Sequence, residues 1–497
     1  MIEKLEARRI DLQAALDAQK DAEERNRLGQ FATPSPLAFD ILAYAQEHME
    51  KGKLRFLDPA LGSGAFYAAA LRTFGQKRLK SAQAFEIDPH YGKPADALWG
   101  EEGLDLVHGD FTLAEPQPAD LIICNPPYVR HHHLDASTKA RLLNRTESAS
   151  GVRLSGLAGL YCHFLLQAQA WMAPGALAGW LIPSEFMDVN YGQAIKEYLL
   201  NRVSLLHIHR FDPNDVQFAD ALVSSAVVWL RNTPPSAEHA IRFTYGGTLH
   251  NPATSKLVAN NDLANERKWT RFPLKDVRAA DEGGSTVGDL FKIKRGIATG
   301  DNTFFVLDEE AVKRHRLPKV ALRPILPSPR YVADDAVLDD GKGTPANARR
   351  LFLLDPRMDE DEIQKRHPTL AAYLEWGRAL GLPDRYLCRS RKRWYDQEQR
   401  PAAPIVCTYL GRGDSRTGRP FRFIRNHTQA TVANSYLAMY PTPALQAKLD
   451  KNPRLIDEIW KQLNRIPAED LLGEGRVYGG GLHKLEPKEL AKVPLIL

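Results

Sequence analysis

Cysteine is scarce. Cys124, Cys162, Cys388 and Cys407 are the whole complement of a 497-residue chain, and no two stand in a Cys-x-x-Cys spacing. That excludes a disulfide framework and a cysteine zinc motif, and leaves reduced thiols as the expectation. Long apolar runs are missing too: no stretch approaches the roughly 18 uninterrupted apolar residues of a membrane span. The opening MIEKLEARRIDLQAALDAQKDAEERNRLG is charged throughout and holds no apolar core of signal-peptide type, so an intracellular, cytoplasmic protein with no membrane partner is expected. Nor does one sign of charge dominate, because a net +5 does not by itself indicate nucleic acid. Internal repeats and low-complexity segments do not stand out either.

What is present is an ordinary globular composition, 43% apolar and 26% charged, in a chain too long for one core. Two or three domains follow. Residues 2–28 place Ile2, Leu5, Ile10, Leu12 and Leu16 at helical spacing among charges, which predicts a single exposed amino-terminal helix packed by one stripe. From 29 to 250 short apolar runs (54–57, 84–87, 121–123, 177–182, 205–209 and 223–230) alternate with amphipathic stretches. That rhythm predicts an α/β domain with a mostly parallel sheet covered on both faces. Residues 251–285 are polar and end in Asp281-Glu282-Gly283-Gly284-Ser285, a linker pattern. Residues 286–497, rich in proline, arginine and aromatics, form a second domain of mixed α/β character.

Phe56 to Phe66 read as strand, glycine turn and helix start, with Asp58, Ala60 and Gly62 on the turn. Glycines there let a backbone approach a ligand closely. A glycine turn alone carries little weight. The next strand, however, ends at Glu86, where a carboxylate can accept from both hydroxyls of a ribose. Together they point to a nucleoside cofactor without separating a nicotinamide dinucleotide from S-adenosyl-L-methionine. Phe66 and Tyr67 stand where a dinucleotide fingerprint would place its third glycine, which weighs against a pyrophosphate. Asp110 and Phe111 then offer an acceptor for an adenine amino group and a ring to stack on it.

The strand 119–124 runs straight into Asn125-Pro126-Pro127-Tyr128. Two prolines can continue neither a strand ladder nor a helix, so the chain leaves the sheet edge rigid and extended. The chemistry that suits these residues is alkylation of an amino group conjugated to an aromatic ring. Such a nitrogen needs two acceptors, the Asn125 side-chain oxygen and the Pro126 carbonyl, to take its hydrogens and localise its lone pair. Positioning and local electrostatics carry that step. Tyr128 can stack on the base once it has been flipped from a duplex. Methylation at cytosine C5 needs a thiolate nucleophile, and Cys124 lies inside the strand where it should be buried. His131-His132-His133 reads as a polar loop rather than a metal site, since adjacent residues seldom converge on one ion.

The chain resembles the adenine-N6 DNA methyltransferases of bacterial restriction–modification systems in the gamma arrangement, the TaqI-methyltransferase-like enzymes. The likeness is strong over 29–232 and weaker after 286. It implies a Rossmann-like S-adenosylmethionine-dependent domain followed by a target-recognition domain, and a monomer that acts on double-stranded DNA at the nucleoid. A separate cognate endonuclease would need no stable complex with it. On this resemblance Gly29-Gln30-Phe31-Ala32-Thr33-Pro34 lies over the methionine moiety, with Thr33 in contact. Asp58, Ala60 and Gly62 fall on the glycine loop, Glu86 on the ribose, and Asp110 and Phe111 on the adenine pocket. Asn125, Pro126 and Tyr128 are catalytic, with Asn125 also bordering the cofactor, and Phe218 is the second aromatic that sandwiches the base.

Between Arg385 and Arg425 eleven lysines and arginines face three acids, with Trp394, Tyr395, Tyr409, Phe421 and Phe423 interleaved. Clustered cations neutralise phosphates, and arginine can read guanine. Arg389, Arg391, Lys392 and Arg393 are assigned to phosphates, and Arg412, Arg416 and Arg419 to bases. The competing readings are an amino-methyltransferase acting on RNA or a protein glutamine, and a DNA-binding relative without catalysis. With 28 residues before the cofactor segment, a fused nuclease is not expected there.

Overall fold

The computed structural model of the chain describes residues 2–212, 224–236, 239–273, 285–411, 419–478 and 482–495. Two compact units divide essentially at Ala279 and Ala280. No helix among the described residues is long and apolar enough to cross a membrane.

The first unit is built on one sheet. Its strands are β1 (Leu54–Asp58), β2 (Leu79–Glu86), β3 (Leu104–His108), β4 (Ala119–Cys124), β5 (Met172–Pro183), β6 (Ser204–Arg210), β7 (Ser225–Arg231), β8 (Ala240–Gly247) and β9 (Pro252–Ala259), in the spatial order β3-β2-β1-β4-β5-β7-β6-β8-β9. Pairing is parallel from β3 to β5, and antiparallel where β7 inserts between β5 and β6 and where β9 joins β8. Both faces are covered. Phe56, Leu121 and Ile123 belong to one apolar cluster, while Leu57, Ile122 and Cys124 belong to the other. Strand neighbours point to opposite faces, so a strand buried on both must read as an unbroken apolar run. The runs in the sequence have that origin.

Two expectations change. The single amino-terminal helix is a pair, α1 (Ile2–Asp17) and α2 (Ala22–Leu28), broken where Asp21 caps α2 by accepting from the Glu24 backbone. The expected linker 251–285 contributes β9, which lies at the sheet edge with most side chains exposed. Its Thr254, Ser255 and Lys256 imitate a linker because one pair of neighbours and one covered face are all an edge strand has. Helix α3 (Ser35–His48), α4 (Ala65–Phe74) and α5 (Pro89–Trp99) pack on the first face, and α6 (Ala136–Ser150), α7 (Leu160–Gln167) and α8 (Gly192–Asn201) on the second.

Under α3, His207 and His209 are buried and share the Thr244 hydroxyl, at 2.6 and 2.8 Å. Burial pushes their pKa values down to about 3 and about 4. The folded state therefore refuses protons that the unfolded state takes up below its ordinary value of about 6.5. Stability contributed by the neutral imidazoles is complete above that value and is lost as pH falls toward 4, at up to about 1.4 kcal/mol per pH unit for each ring. Thermal unfolding followed from pH 7 to pH 4.5 is expected to show a falling Tm. His207→Gln with His209→Gln should flatten the slope, and an equal slope in parent and variant would contradict the assignment.

The second unit holds a mixed sheet ordered Phe291–Arg295, Tyr436–Pro441, Ile405–Thr408, Phe423–Asn426 and Ala336–Val337, and a smaller antiparallel sheet of Val306–Asp308, Leu351–Leu354 and Leu322–Ile325. Helices Pro443–Leu449 and Leu455–Leu463 cover the first of these around Phe291, Ile405, Phe423 and Leu437.

Candidate active site

In the first unit strand order reverses between β1 and β4, and the crevice beyond the carboxyl ends of such strands is where doubly wound sheets bind ligands. Asp58, Glu86 and Asn125 all stand at that edge, ending or following β1, β2 and β4.

The glycine turn is shaped by close packing. Gly62 and Gly64 take φ of 58° and 93°, and a Cβ on Gly64 would lie 2.4 Å from Trp99 Nε1. That indole donates to the Ser63 carbonyl at 2.8 Å, drawing the turn onto α5. Glu86 ties the turn to the next strand. Its Oε2 accepts from the Gly62 backbone at 2.9 Å and its Oε1 from the Asp88 backbone at 2.8 Å. Asp58 is fully buried, and one oxygen accepts from the Ala60 backbone at 3.1 Å. The other, Oδ2, has no partner among the described residues. Burial raises the Glu86 pKa and pushes the Asp58 carboxyl up to about 8. A buried carboxyl oxygen left without a partner marks a place where a polar group of a ligand fits.

Asp110 caps a short turn, accepting from the Thr112 backbone and hydroxyl at 2.8 and 2.7 Å and from Arg141 at 3.2 Å. Phe111 is not an open stacking surface. It is 2% exposed, with its ring among Phe85, Phe164 and Trp171. The sequence reading missed Ile87, which lies between Glu86 and Asp88 and is 68% exposed. Only the fold, by turning this apolar side chain outward at a site edge, makes it notable.

The Asn125–Tyr128 motif and the 29–34 segment are locked together. Gly29 has φ of 66°, and a Cβ there would lie 2.3 Å from the Tyr128 nitrogen. Its carbonyl accepts from that nitrogen at 3.2 Å. Asn125 donates through Nδ2 to the Phe31 carbonyl at 2.9 Å and to the Thr33 hydroxyl at 3.1 Å. Those two bonds fix the orientation of the amide. Its Oδ1 is buried and has no partner among the described residues. Pro126 is buried beside it, and the Tyr128 hydroxyl donates to the Leu181 carbonyl at 3.0 Å. Burial holds the Cys124 thiol well above its ordinary pKa, so it supplies no thiolate. Phe218 lies outside the described residues.

The basic stretch of the second unit looks different once folded. Trp394, Tyr395, Tyr409, Phe421 and Phe423 are all buried in apolar cores and offer no rings to bases. Arg391 is half-buried and donates to the Ala298 carbonyl at 2.8 Å. Arg393 pairs with Asp396 at 2.8 Å, and Arg419 donates to the Asn464 side chain at 3.4 Å. Arg385, Arg400, Arg422 and Arg425 pair with Asp301, Glu398, Asp335 and Asp457. Arg389 and Lys392 are exposed. Arg412 and Arg416 lie outside the described residues.

Residues 75–217 match the family model of the Eco57I restriction-modification methylase, and residues 267–497 match that of the C-terminal domain of the Type II methyltransferase M.Eco57I. The chain is similar to the Type II methyltransferase M.XamI of Xanthomonas campestris pv. amaranthicola, 27% identical over 475 residues that cover 94% of this chain and 85% of the relative. The Type II methyltransferase M.AccI of Acinetobacter calcoaceticus is 26% identical over 488 residues, covering 95% and 85%. Among solved structures the Type IIL restriction-modification enzyme MmeI in complex with DNA shares the fold, with a TM-score of 0.56 at 12% identity over 87% of this chain and 65% of that one.

Proposed function

We propose that the chain, which is similar to Type II methyltransferases of restriction–modification systems, transfers a methyl group from S-adenosyl-L-methionine to N6 of an adenine flipped out of double-stranded DNA. The observation that carries the reading is the Asn125 amide. Its NH2 is bound to Phe31 and Thr33, which leaves a buried Oδ1 with no described partner beside Pro126.

The cofactor, when bound, supplies an electrophilic methyl on a sulfonium. Asp58, Ala60, Gly62, Glu86, Asp110 and Thr33 would hold it, with Ile87 rather than the enclosed Phe111 as the exposed apolar face for its adenine. Asn125 Oδ1 and the Pro126 carbonyl accept the two amino hydrogens, concentrating the nitrogen lone pair opposite the methyl. The oriented amide costs no reorganisation at the moment of reaction. Tyr128, buried and tied to Leu181, forms one wall for the base, and Phe218 is assigned to the other. The order of cofactor segments, catalytic motif and late second unit fits the gamma arrangement, with 286–497 as the target-recognition domain. Tritiated methyl incorporated into DNA, followed by nucleoside chromatography, is expected to yield N6-methyladenine. A label on RNA, on protein or on cytosine would refute the reading.

Of the basic residues, Arg389 and Lys392 are assigned to DNA phosphates, because both are exposed and the other described cations of the stretch are paired with acids or donate to protein oxygens. Arg389→Glu with Lys392→Glu is expected to weaken DNA binding and to lower the slope of log K against log salt by about 2. Titrations at several salt concentrations check this, and parental affinity with a parental slope counts against it.

A further inference from the structure

The first amino-terminal helix and the turn after it are held to the rest of the first unit by charged groups rather than by apolar surface alone. Arg9 is 3% exposed. Its Nε and Nη2 donate to the two Glu6 oxygens, both at 2.7 Å. The same guanidinium reaches Ser63 Oγ at 3.0 Å through Nη1 and Ser35 Oγ at 2.8 Å through Nη2. Ser63 stands between the two glycines of the turn. Ser35 follows Pro34 at the end of the segment that orients Asn125.

A second tie lies beyond α1. Lys20 Nζ donates to Asp88 Oδ2 at 2.5 Å and to Gln30 Oε1 at 3.2 Å, and Gln30 Nε2 donates to the same Asp88 oxygen at 2.7 Å. Asp88 is held through its backbone by Glu86. A third tie joins the Asp17 carboxylate to the Tyr91 hydroxyl at 2.8 Å, and the Leu16 carbonyl to His90 Nε2 at 2.9 Å. Three elements are thus held from one side: the glycine turn, the start of α5 next to Glu86, and the 29–34 segment.

A buried ion pair is a poor source of stability, since replacing both partners with apolar groups is often neutral or favourable. An element needed only to cover the sheet face would do better with leucines at 6 and 9. We propose that α1 and the turn that follows it form a clamp that sets the geometry of the cofactor loops, with Arg9 and Lys20 as positioning residues that join the glycine turn to the segment orienting Asn125. This rests on the S-adenosylmethionine reading above. Neither residue need touch the cofactor. Each removes loop freedom that binding would otherwise have to remove, so its loss falls on affinity before it falls on the chemical step.

The test uses the full chain. Glu6→Leu with Arg9→Met removes both charges and leaves no lone buried ion, and Lys20→Met breaks the second tie independently. S-adenosylmethionine dissociation constants by calorimetry, Tm, and single-turnover methyl transfer at saturating cofactor are measured for each. The double variant is expected to keep a Tm near or above the parent's while its dissociation constant rises about tenfold, and Lys20→Met to raise it about threefold, with transfer at saturation less affected than affinity. Parental affinity in both variants overturns the clamp, whatever their Tm. A fall in Tm of the double variant together with parental affinity in Lys20→Met also overturns it, because the contacts are then merely structural. Should the double variant fail to fold, Lys20→Met alone decides. A parent that does not bind S-adenosylmethionine rejects the functional reading instead.

Discussion

Asn125→Ala is expected to reduce single-turnover methyl transfer at least about 1,000-fold while leaving the cofactor dissociation constant within a factor of about three. The alanine removes the acceptor Oδ1, which has no described partner, and keeps the backbone that carries Pro126. It leaves the glycine turn and Glu86 intact, and of the residues assigned to the cofactor only Thr33 loses a hydrogen bond. The loss therefore appears in the rate and not in cofactor affinity. Asn125→Asp sharpens the comparison. It keeps an acceptor of the same shape but sets a carboxylate oxygen against the Phe31 carbonyl and the Thr33 hydroxyl, where the amide now donates. It should transfer more slowly than the parent and faster than the alanine variant. Transfer by Asn125→Ala at the parental rate would remove the residue from the mechanism.

The second large effect is expected at a glycine with no chemistry of its own. Gly29→Ala must adopt φ of 66°, which costs an L-residue about 1 kcal/mol. Its Cβ must also find room 2.3 Å from the Tyr128 nitrogen and 2.8 Å from the Tyr128 carbonyl carbon. Those are backbone atoms, which no change of rotamer can move aside. The 29–34 segment is expected to lift from the motif, withdrawing the Phe31 carbonyl and the Thr33 hydroxyl from the Asn125 amide. A free amide can turn its NH2 toward the base, and a donor there opposes the reaction. We expect transfer at saturating cofactor to fall about 100-fold, near 3 kcal/mol, with a Tm loss of a few degrees. Parental turnover in a folded Gly29→Ala would show that the segment does not orient Asn125.

The parts of this site that the sequence made legible are those encoded over a few residues. An apolar strand, a glycine turn and an acid one βα unit later depend on local backbone geometry, and so does a proline pair that ends a strand. Asp58, Gly62, Glu86 and Asn125 accordingly stand at one sheet edge. The illegible parts depend on residues far apart in the chain. Arg422 finds Asp335 and Arg425 finds Asp457 across 87 and 32 positions, so a stretch that reads as basic is largely neutralised when folded. The aromatics interleaved there are buried for the same reason, since spacing does not reveal which face a core will cover. Strand β9 was hidden by edge polarity, and Ile87 by the absence of any local sign that it points outward. The Arg9 clamp joins helix α1 to two loops that no periodicity connects to it.

The double proline has a consequence for selection among bases. Neither Pro126 nor Pro127 has an amide hydrogen, and the hydrogen on the Tyr128 nitrogen is taken by the Gly29 carbonyl. With Asn125 Oδ1, unpartnered among the described residues, beside them, these three residues contribute acceptors and no free backbone donor. On the proposed function a keto oxygen, such as O4 of thymine or O6 of guanine, would be repelled there, whereas an exocyclic amine would be drawn in. Adenine N6, cytosine N4 and guanine N2 all carry such an amine, so the motif would sort bases by the sign of the group they offer. On that proposal the choice among the amines would belong to the shape of the walls around Tyr128, and changing those walls while keeping Asn125 would be the direct way to move the methyl group to a different base.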